Sequence, residues 1–467
     1  MPPTTTQTTL DLADLRTQLS GRVIGPDDTG YDEARAVFYG AADSRPAVIV
    51  KVATAADVAR VVQLARETGL ELAVRSGGHS GAGHSTSDGG IVLDLSDMKG
   101  IEIDVDGQTV WAETGLTAVE LSTAVGAHGL AIGFGDTGSV GIGGITLGGG
   151  IGYLVRSQGL TIDNLFAADI VTADGELVRA DASSHPDLFW AIRGGGGNFG
   201  VATRFQYRLH EVPAFVGGML ILPATAEVVA GFIAAAEAAP EELTTIANMM
   251  PAPPMPMVPE DQHGKLVVLA LMAFTGDAAS GELALAPFRS LATPIADLVQ
   301  PIPYPEIYPP DDADYHPIAA NRTMFVDRVD REVAQLILDR LDEHQKTSAA
   351  QMVVAQLRVL GGAMARVPAD ATAFAHRSSR IMVNLAALVG KTAELPEHEP
   401  WVDGFVAALH QDDDGAYVNF IGDEGEARVR QAYPGRTWAR LAEIKRRYDP
   451  TNLFRRNQNI APAADRA

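Results

Sequence analysis

In the stretch "RPAVIVKVATAADVARVVQLARETGLELAVR", apolar residues run together as "VIV", space out as Val58, Val61, Val62 and Ala65, then run together again. A β-branched run, a three-to-four spacing and a second run predict strand, helix, strand. Thr54 followed by Asp57 is a capping signature for that helix, and Gly69 supplies its stop. Further on, "IEIDVDGQTVWAE" alternates apolar and polar positions around Asp106-Gly107, and "ADIVTADGELVRA" repeats the device at Asp174-Gly175. Both predict β-hairpins with two-residue turns. The N-terminal lobe is therefore expected to be α+β, with several strands rather than a regular βαβ repeat.

Around Pro213 the texture changes. Ala-rich helical text ("ATAEVVAGFIAAAEAAPEEL") is followed by Pro-rich loops, "MMPAPPMPMVPE" and "PIPYPEIYPPDDADYHP". Strand-like "KLVVLALMAF" and "AAQMVVAQLRVL" lie between and beyond them. This reads as a second lobe whose Met, Tyr and Pro-rich loops either line a pocket or face solvent. From Tyr417 onward, "YVNF" and "RLAEIKRRYDPTNLFRRNQNI" are denser in polar and aromatic groups.

Composition narrows the function. At 467 residues the chain exceeds what one core organises, so two domains or two interlocked lobes are expected. With 36 basic against 59 acidic residues the net charge is −23, which repels phosphate backbones and anionic lipid and argues against nucleic-acid and membrane partners. No apolar run approaches the roughly 18 residues of a membrane span. The start, "MPPTTTQTTLDLADL", lacks the basic and apolar regions of a secretory signal, so a cytoplasmic location is expected. Cysteine is absent, which excludes disulfides, thiolate metal sites and thiol nucleophiles.

The chemistry-bearing text is glycine-rich. "RSGGHSGAGHS" sets His79 and His84 five apart among glycines, which fits a metal site, a structural turn or a histidine held against a flat cofactor. Metal is disfavoured. Asp94 reads as an outward strand position, Asp88 is the other acid at hand, and no further histidine lies nearby in sequence to complete a ligand set. "GSVGIGGITLGGGIGYLVRSQGL" carries eight glycines between Gly138 and Gly152, more bare backbone than a loop requires. Contact with a large ligand and tight packing of strands both account for it. "RGGGGNFGV" contains a GxGxxG at Gly195, Gly197 and Gly200, but helical text precedes it and strand text follows. A Rossmann fingerprint needs the reverse order.

"RSGGHS", "GDTGSVGIGGITLGGG", "GLTIDNL", "PDLFWAIRGGGGNFGV" and "YDPTNLFRRNQNI" together resemble the berberine-bridge-enzyme-like flavoprotein oxidases of the vanillyl-alcohol-oxidase/para-cresol-methylhydroxylase superfamily. Matching motifs run from about Tyr31 to Ile460, and bacterial members such as the hydroxynicotine oxidases are similar in length. The resemblance implies an α+β fold: a two-subdomain FAD-binding domain of the para-cresol-methylhydroxylase type plus an α+β substrate domain with an antiparallel sheet. It implies an N-terminal FAD-binding part over 1–212, a substrate-binding domain over 213–415, and a C-terminal segment, 416–467, returning to the FAD domain.

The same resemblance implies FAD held by a single covalent link through His79, whose neutral imidazole is a nitrogen nucleophile. Amides of Ser76, Gly77, Gly78 and Ser80 then cradle the pyrophosphate, with Arg75 beside them, and His84 is left a structural role. Thr137, Gly138, Ser139, Val140, Gly143, Gly144, Gly149, Gly200, Val201 and Asn457 complete the flavin site; helix-end capping is the other reading of Asn457. Many relatives attach the flavin again through a cysteine where Thr137 stands, and a chain without cysteine cannot. That departure tilts the reading away from oligosaccharides. Val140 fits an oxidase whose flavin face is open to oxygen, or a residue chosen for packing. Gln158 and Asn384 fall at base-like positions without being bases. Tyr417 is then the remaining candidate base, if its pKa is lowered from about 10, or else a packed tyrosine. The implied reaction takes hydride from a C–H next to an alcohol or amine of a small molecule, with oxygen returning as hydrogen peroxide. The alternatives are a non-catalytic or a dehydrogenase-type flavoprotein of the same fold.

Overall fold

The computed structural model describes residues 10–310, 312 and 314–464. The extreme N-terminal text "MPPTTTQTT" lies outside them. The predicted strand–helix–strand is present as Val48–Lys51, Ala55–Thr68 and Leu72–Arg75. Thr54 and Asp57 form the expected capping box, a device worth about 1 kcal/mol, and Gly69 ends the helix at φ 69°. The two strands flank Ile91–Asp94 in parallel, and Arg22–Ile24 adds an antiparallel edge, giving a four-stranded sheet. Asp94, expected to face outward, is 2% exposed because its carboxylate meets the buried Arg75 guanidinium at 2.8 Å.

A second, five-stranded antiparallel sheet runs Ile101–Asp104, Thr109–Glu113, Val201–Arg208, Leu165–Val171, Leu177–Asp181. Both predicted hairpins lie in it, with longer turns than expected. Asp104 pairs with Thr109, leaving residues 105–108 as the turn, and Gln108 rather than Gly107 takes the positive φ, 48°. The Asp104 carboxylate accepts the Gly107 amide at 2.9 Å, which holds that turn. In the other hairpin Val171 pairs with Leu177, and Gly175 supplies the left-handed residue at φ 86°.

The second lobe is built on a large antiparallel sheet. Its main strands are Phe215–Pro223, Leu266–Thr275, Leu243–Pro251, Met352–Val359, Ile381–Val389 and Ile318–Val326, in that spatial order. Helices Ala226–Ala238, Ala278–Arg289, Arg331–Thr347 and Leu395–Leu409 bury one face of it through residues such as Phe232, Phe288, Leu341 and Phe405. Strand alternation then decides the other face. Val353, Ala355 and Leu357 point into the helices, so Val354 and Gln356 point away from them. The C-terminal residues return to the first lobe. Val429, Leu441 and Ile460 join its core, and the buried Lys445 ammonium donates to the carbonyls of Asn198 and Phe454. Among the described residues no helix is long and apolar enough to cross a membrane.

Candidate active site

The helix-free face of the large sheet, the glycine turn of the first lobe and the C-terminal segment enclose a cavity of about 490 Å³. His79 enters it from the turn, Val140 from the glycine run, Asn384 from a sheet strand, and Tyr417 and Asn457 from the C-terminal segment. The His79 ring stacks on Phe38, centroids 4.0 Å apart and planes 20° apart, which fixes the plane of the imidazole.

The glycines divide between two tasks. A Cβ on Gly77 would lie 2.2 Å from the Gly141 nitrogen, and one on Gly141 would lie 2.1 Å from the Gly77 nitrogen. These two loops therefore touch backbone to backbone. Ser76 ties them further, donating from Oγ to the Thr114 carbonyl at 2.5 Å and accepting from the Gly143 amide at 3.2 Å. Gly144 and Gly197 differ: both line the cavity, and a Cβ on either would meet nothing within 4 Å. Bare backbone at those two positions is offered to whatever fills the space.

Several polar atoms on the walls await a partner. Among the described residues, both ring nitrogens of His84 and the Oδ1 atoms of Asn384 and Asn457 are buried without a hydrogen bond, and all three residues line the cavity. Burial lowers the His84 pKa to about 4, so the ring is neutral at physiological pH. At the opposite side, the Arg358 guanidinium bridges the lobes. It donates to the Asp136 carboxylate at 2.6 Å, to Gln356 Oε1 at 2.7 and 3.0 Å, and to the Ile151 carbonyl at 3.3 Å. A cavity with a glycine cradle and orphaned polar atoms along its walls fits a large polar cofactor with a flat ring.

A family model described as an FAD binding domain matches residues 46–181, and one described as berberine and berberine like matches residues 416–461. The chain is 31% identical over 473 residues to (R)-6-hydroxynicotine oxidase of Paenarthrobacter nicotinovorans, covering 95% of this chain and 97% of that one. It belongs to the berberine-bridge-enzyme-like FAD-linked oxidases. Xylooligosaccharide oxidase of Thermothelomyces thermophilus is 29% identical, across 90% of this chain and 88% of that one. The crystal structure of 6-hydroxy-D-nicotine oxidase from Arthrobacter nicotinovorans matches with a TM-score of 0.84 at 28% identity, over 95% of this chain and 98% of that one. The fold is accordingly the vanillyl-alcohol-oxidase/para-cresol-methylhydroxylase type, and the protein is an FAD-dependent oxidoreductase.

In this berberine-bridge-enzyme-like oxidase the cavity gathers Ser76, Gly77, Gly78, His79, Ser80, Thr137, Val140, Gly143, Gly144, Gly200, Val201, Asn384, Tyr417 and Asn457. Five expected residues lie off it. The Arg75 guanidinium is taken up by Asp94 and the Ala34 and Ala36 carbonyls, so it holds the strand ends together. Gly138 packs under Val119 and Tyr308, Gly149 packs under Phe374 and Tyr417, and Ser139 lies in the loop contact with Gly77. Gln158 ends the short helix Val155–Gln158 away from the cavity, so it touches no reacting group there.

Tyr417 lines the cavity, and of its two readings, base or packed tyrosine, burial favours the second. The phenol is 1% exposed, and burial raises its pKa. Opposing that rise, its oxygen accepts from the Gly150 amide at 2.9 Å, from Asn419 Nδ2 at 2.9 Å and from the Ile151 amide at 3.3 Å. Desolvation wins, and the group stays neutral. The metal alternative loses its acids: Asp94 pairs with Arg75 and the Asp88 carboxylate accepts the Arg45 amide. Among the described residues no group of three or more His, Asp or Glu is placed to hold a metal. The "MMPAPPMPMVPE" loop is not pocket lining either, since Met255 and Met257 pack on Val258 and its neighbours, whereas Tyr315 and Pro317 of the other loop do line the cavity. Asp136, Gln356, Arg358 and Asn419 were missed. The signal for two of them was in "VAQLRV", whose alternate polar positions mark a strand face turned from the core.

Proposed function

We propose that this chain holds FAD through one covalent bond to His79 and oxidises a C–H next to an alcohol or amine of a small organic substrate, with oxygen reduced to hydrogen peroxide. One observation carries this reading: His79, Val140, Asn384 and Tyr417, from four separate segments, line a single cavity. The bound flavin supplies the two-electron acceptor and the route to oxygen. The substrate gives up a hydride from carbon and a proton from its O–H or N–H, and leaves as a carbonyl or imine. Two electrons and two protons convert oxygen to peroxide.

The chain's own groups bind and orient. Phe38 holds the His79 ring in one plane, and Gly78, at φ 74°, supplies the left-handed turn that presents it to the cavity. Thr137 cannot form a second link, and the chain holds no cysteine that could. The unpaired Oδ1 of Asn384 accepts from the substrate's O–H or N–H. The neutral Tyr417 hydroxyl, with three donors on its oxygen, offers its own proton as a hydrogen bond to the substrate heteroatom. The substrate's proton therefore passes to water rather than to a side-chain base. Val140 leaves the wall small where oxygen approaches.

Anaerobic mixing with a panel of amines and alcohols, followed by air, tests the reading. Bleaching of the yellow colour and one peroxide per flavin on aeration are expected. Reduced enzyme that stays bleached in air would point instead to the dehydrogenase-type alternative, and a flavin that no reductant of the panel or dithionite alters would point to the non-catalytic one.

A further inference from the structure

On the small four-stranded sheet of the first lobe, one face turns from apolar to charged within two residues of each strand. Register places Ile24, Ile49, Val92 and Ala73 in one row across it. Tyr31 and Ala34, from the helix Tyr31–Arg35, cover that row. Two residues along, on the same face, the row is Arg22, Lys51, Asp94 and Arg75. It stands at the carboxyl ends of the three parallel strands, where open α/β sheets gather their ligands.

These four charged residues line a second cavity, of about 540 Å³, which shares with the active cavity only Phe38 and the turn of Ser76, Gly77 and Gly78. Most of the row is already engaged. Arg75 donates to Asp94 at 2.8 Å and to the Ala34 and Ala36 carbonyls, and the other Asp94 oxygen accepts the Ser96 amide at 2.9 Å. Asp97 holds the exposed end of Arg22 at 3.0 Å. Lys51 is the surplus charge. Its ammonium comes no nearer to Asp94 than 3.9 Å, and among the described residues it donates no hydrogen bond. Ser96 Oγ, on the same lining, is buried without a partner. Glu33, the other acid on the lining, is exposed and forms no ion pair among the described residues.

We infer that this second cavity binds a small phosphate-type oxyanion, held by Lys51 and Ser96. The ammonium is a compact charge with three donors, and the unpaired hydroxyl adds one more; donors of this kind bind an oxyanion through short, charge-assisted hydrogen bonds. A buried hydroxyl left without a partner is costly, and an oxyanion relieves that cost. Three cations to one acid in the row draw an anion to this spot, although the chain as a whole carries a net charge of −23. The same row repels a metal cation and gives an apolar ligand a charged floor. A bound oxyanion would touch the Ser76–Gly78 turn, which also walls the active cavity. Phosphate chemistry has two sources here, a free phosphate and the diphosphate of FAD, and flavin occupancy separates them.

Equilibrium dialysis of the flavin-loaded enzyme against radiolabelled inorganic phosphate, with ionic strength held constant by chloride, tests the site. Saturable uptake approaching one phosphate per chain is expected. Lys51→Met should weaken it at least about tenfold, as the loss of a hydrogen bond to a charged group does. Lys51→Arg, which keeps the charge, should restore most of it. Ser96→Ala should weaken it as well, and it carries the test if Lys51→Met does not fold. No saturable uptake by the loaded enzyme would overturn the site, and so would uptake that neither Lys51→Met nor Ser96→Ala alters. Uptake that falls as flavin occupancy rises from one preparation to the next would assign the phosphate to the cradle of the cofactor's own diphosphate, and a separate site would be refuted.

Discussion

Asp136 and Arg358, 222 residues apart in the chain, meet at 2.6 Å where the glycine-run lobe faces the large sheet. Their side chains are 21% and 4% exposed, so the pair is a largely dry bridge across the active cavity. Removing one partner of a buried pair costs about 3–5 kcal/mol, chiefly because the survivor is left uncompensated. Asp136→Asn should fall at or just below the lower end of that range, since Arg358 keeps Gln356 and Ile151 as acceptors. Arg358→Met in the same chain should recover much of the loss. Urea midpoints of the two single variants and the double variant measure the coupling. Additive losses would mean that the bridge contributes nothing of its own.

For the flavin link, denatured wild-type protein is expected to stay yellow, and His79→Ala to release its flavin on denaturation. Mass spectrometry of tryptic peptides should place the flavin mass on the peptide containing His79. A flavin-bearing peptide without His79 would refute the assignment.

The contrast between these two sites shows what was legible beforehand. The His79 turn is local: its glycines made its position legible, while its role came only from the resemblance to the family. The Asp106-Gly107 and Asp174-Gly175 hairpins were legible for the same reason, although the turn lengths depended on side-chain caps such as Asp104. Arg358 belongs to a strand whose alternation was visible, but the identity of its partner was set by packing of two lobes. Asp94 was misread because an acid in "IVLDLS" looks solvent-facing until Arg75 is brought beneath it. Tyr417 was legible as a cavity candidate with base and packed tyrosine both open, and its burial, which favours the second, is not readable from sequence.

Tyr417→Phe should therefore behave differently from the loss of a base. A neutral tyrosine does not titrate between about pH 6 and 9, so the pH profile of flavin reduction should keep its shape. The variant should instead lose stability, because three N–H donors lose a buried acceptor, each at about 1–3 kcal/mol before water or neighbours compensate. Stopped-flow reduction across pH, beside urea unfolding, separates the two. A profile that loses its basic limb would restore tyrosine as the base.

Val140→Leu tests the oxygen face. The residue lines the cavity and packs partly on the first-lobe core, so the larger side chain extends into the cavity. Reoxidation should slow at least about tenfold, or about 1.4 kcal/mol on that barrier, with anaerobic reduction unchanged. Equal reoxidation rates would place the oxygen path elsewhere.

His84 makes stability depend on acid. Its folded pKa is lowered to about 4 against an unfolded value near 6.5, so the unfolded chain binds the proton first as pH falls. The stability this neutral ring contributes is complete above about pH 6.5 and is lost progressively down to pH 4. A shift of about 2.5 units corresponds to at most ~3 kcal/mol. His84→Leu, which fills the site with a group that cannot titrate, should flatten the slope of urea midpoint against pH in that interval. It should leave the alkaline side unchanged, where the wild-type ring is already neutral. An identical acid slope in the variant would assign the loss to other groups, with the half-buried His344, whose pKa is also lowered to about 4 by burial and by His398 at 2.9 Å, the next to replace.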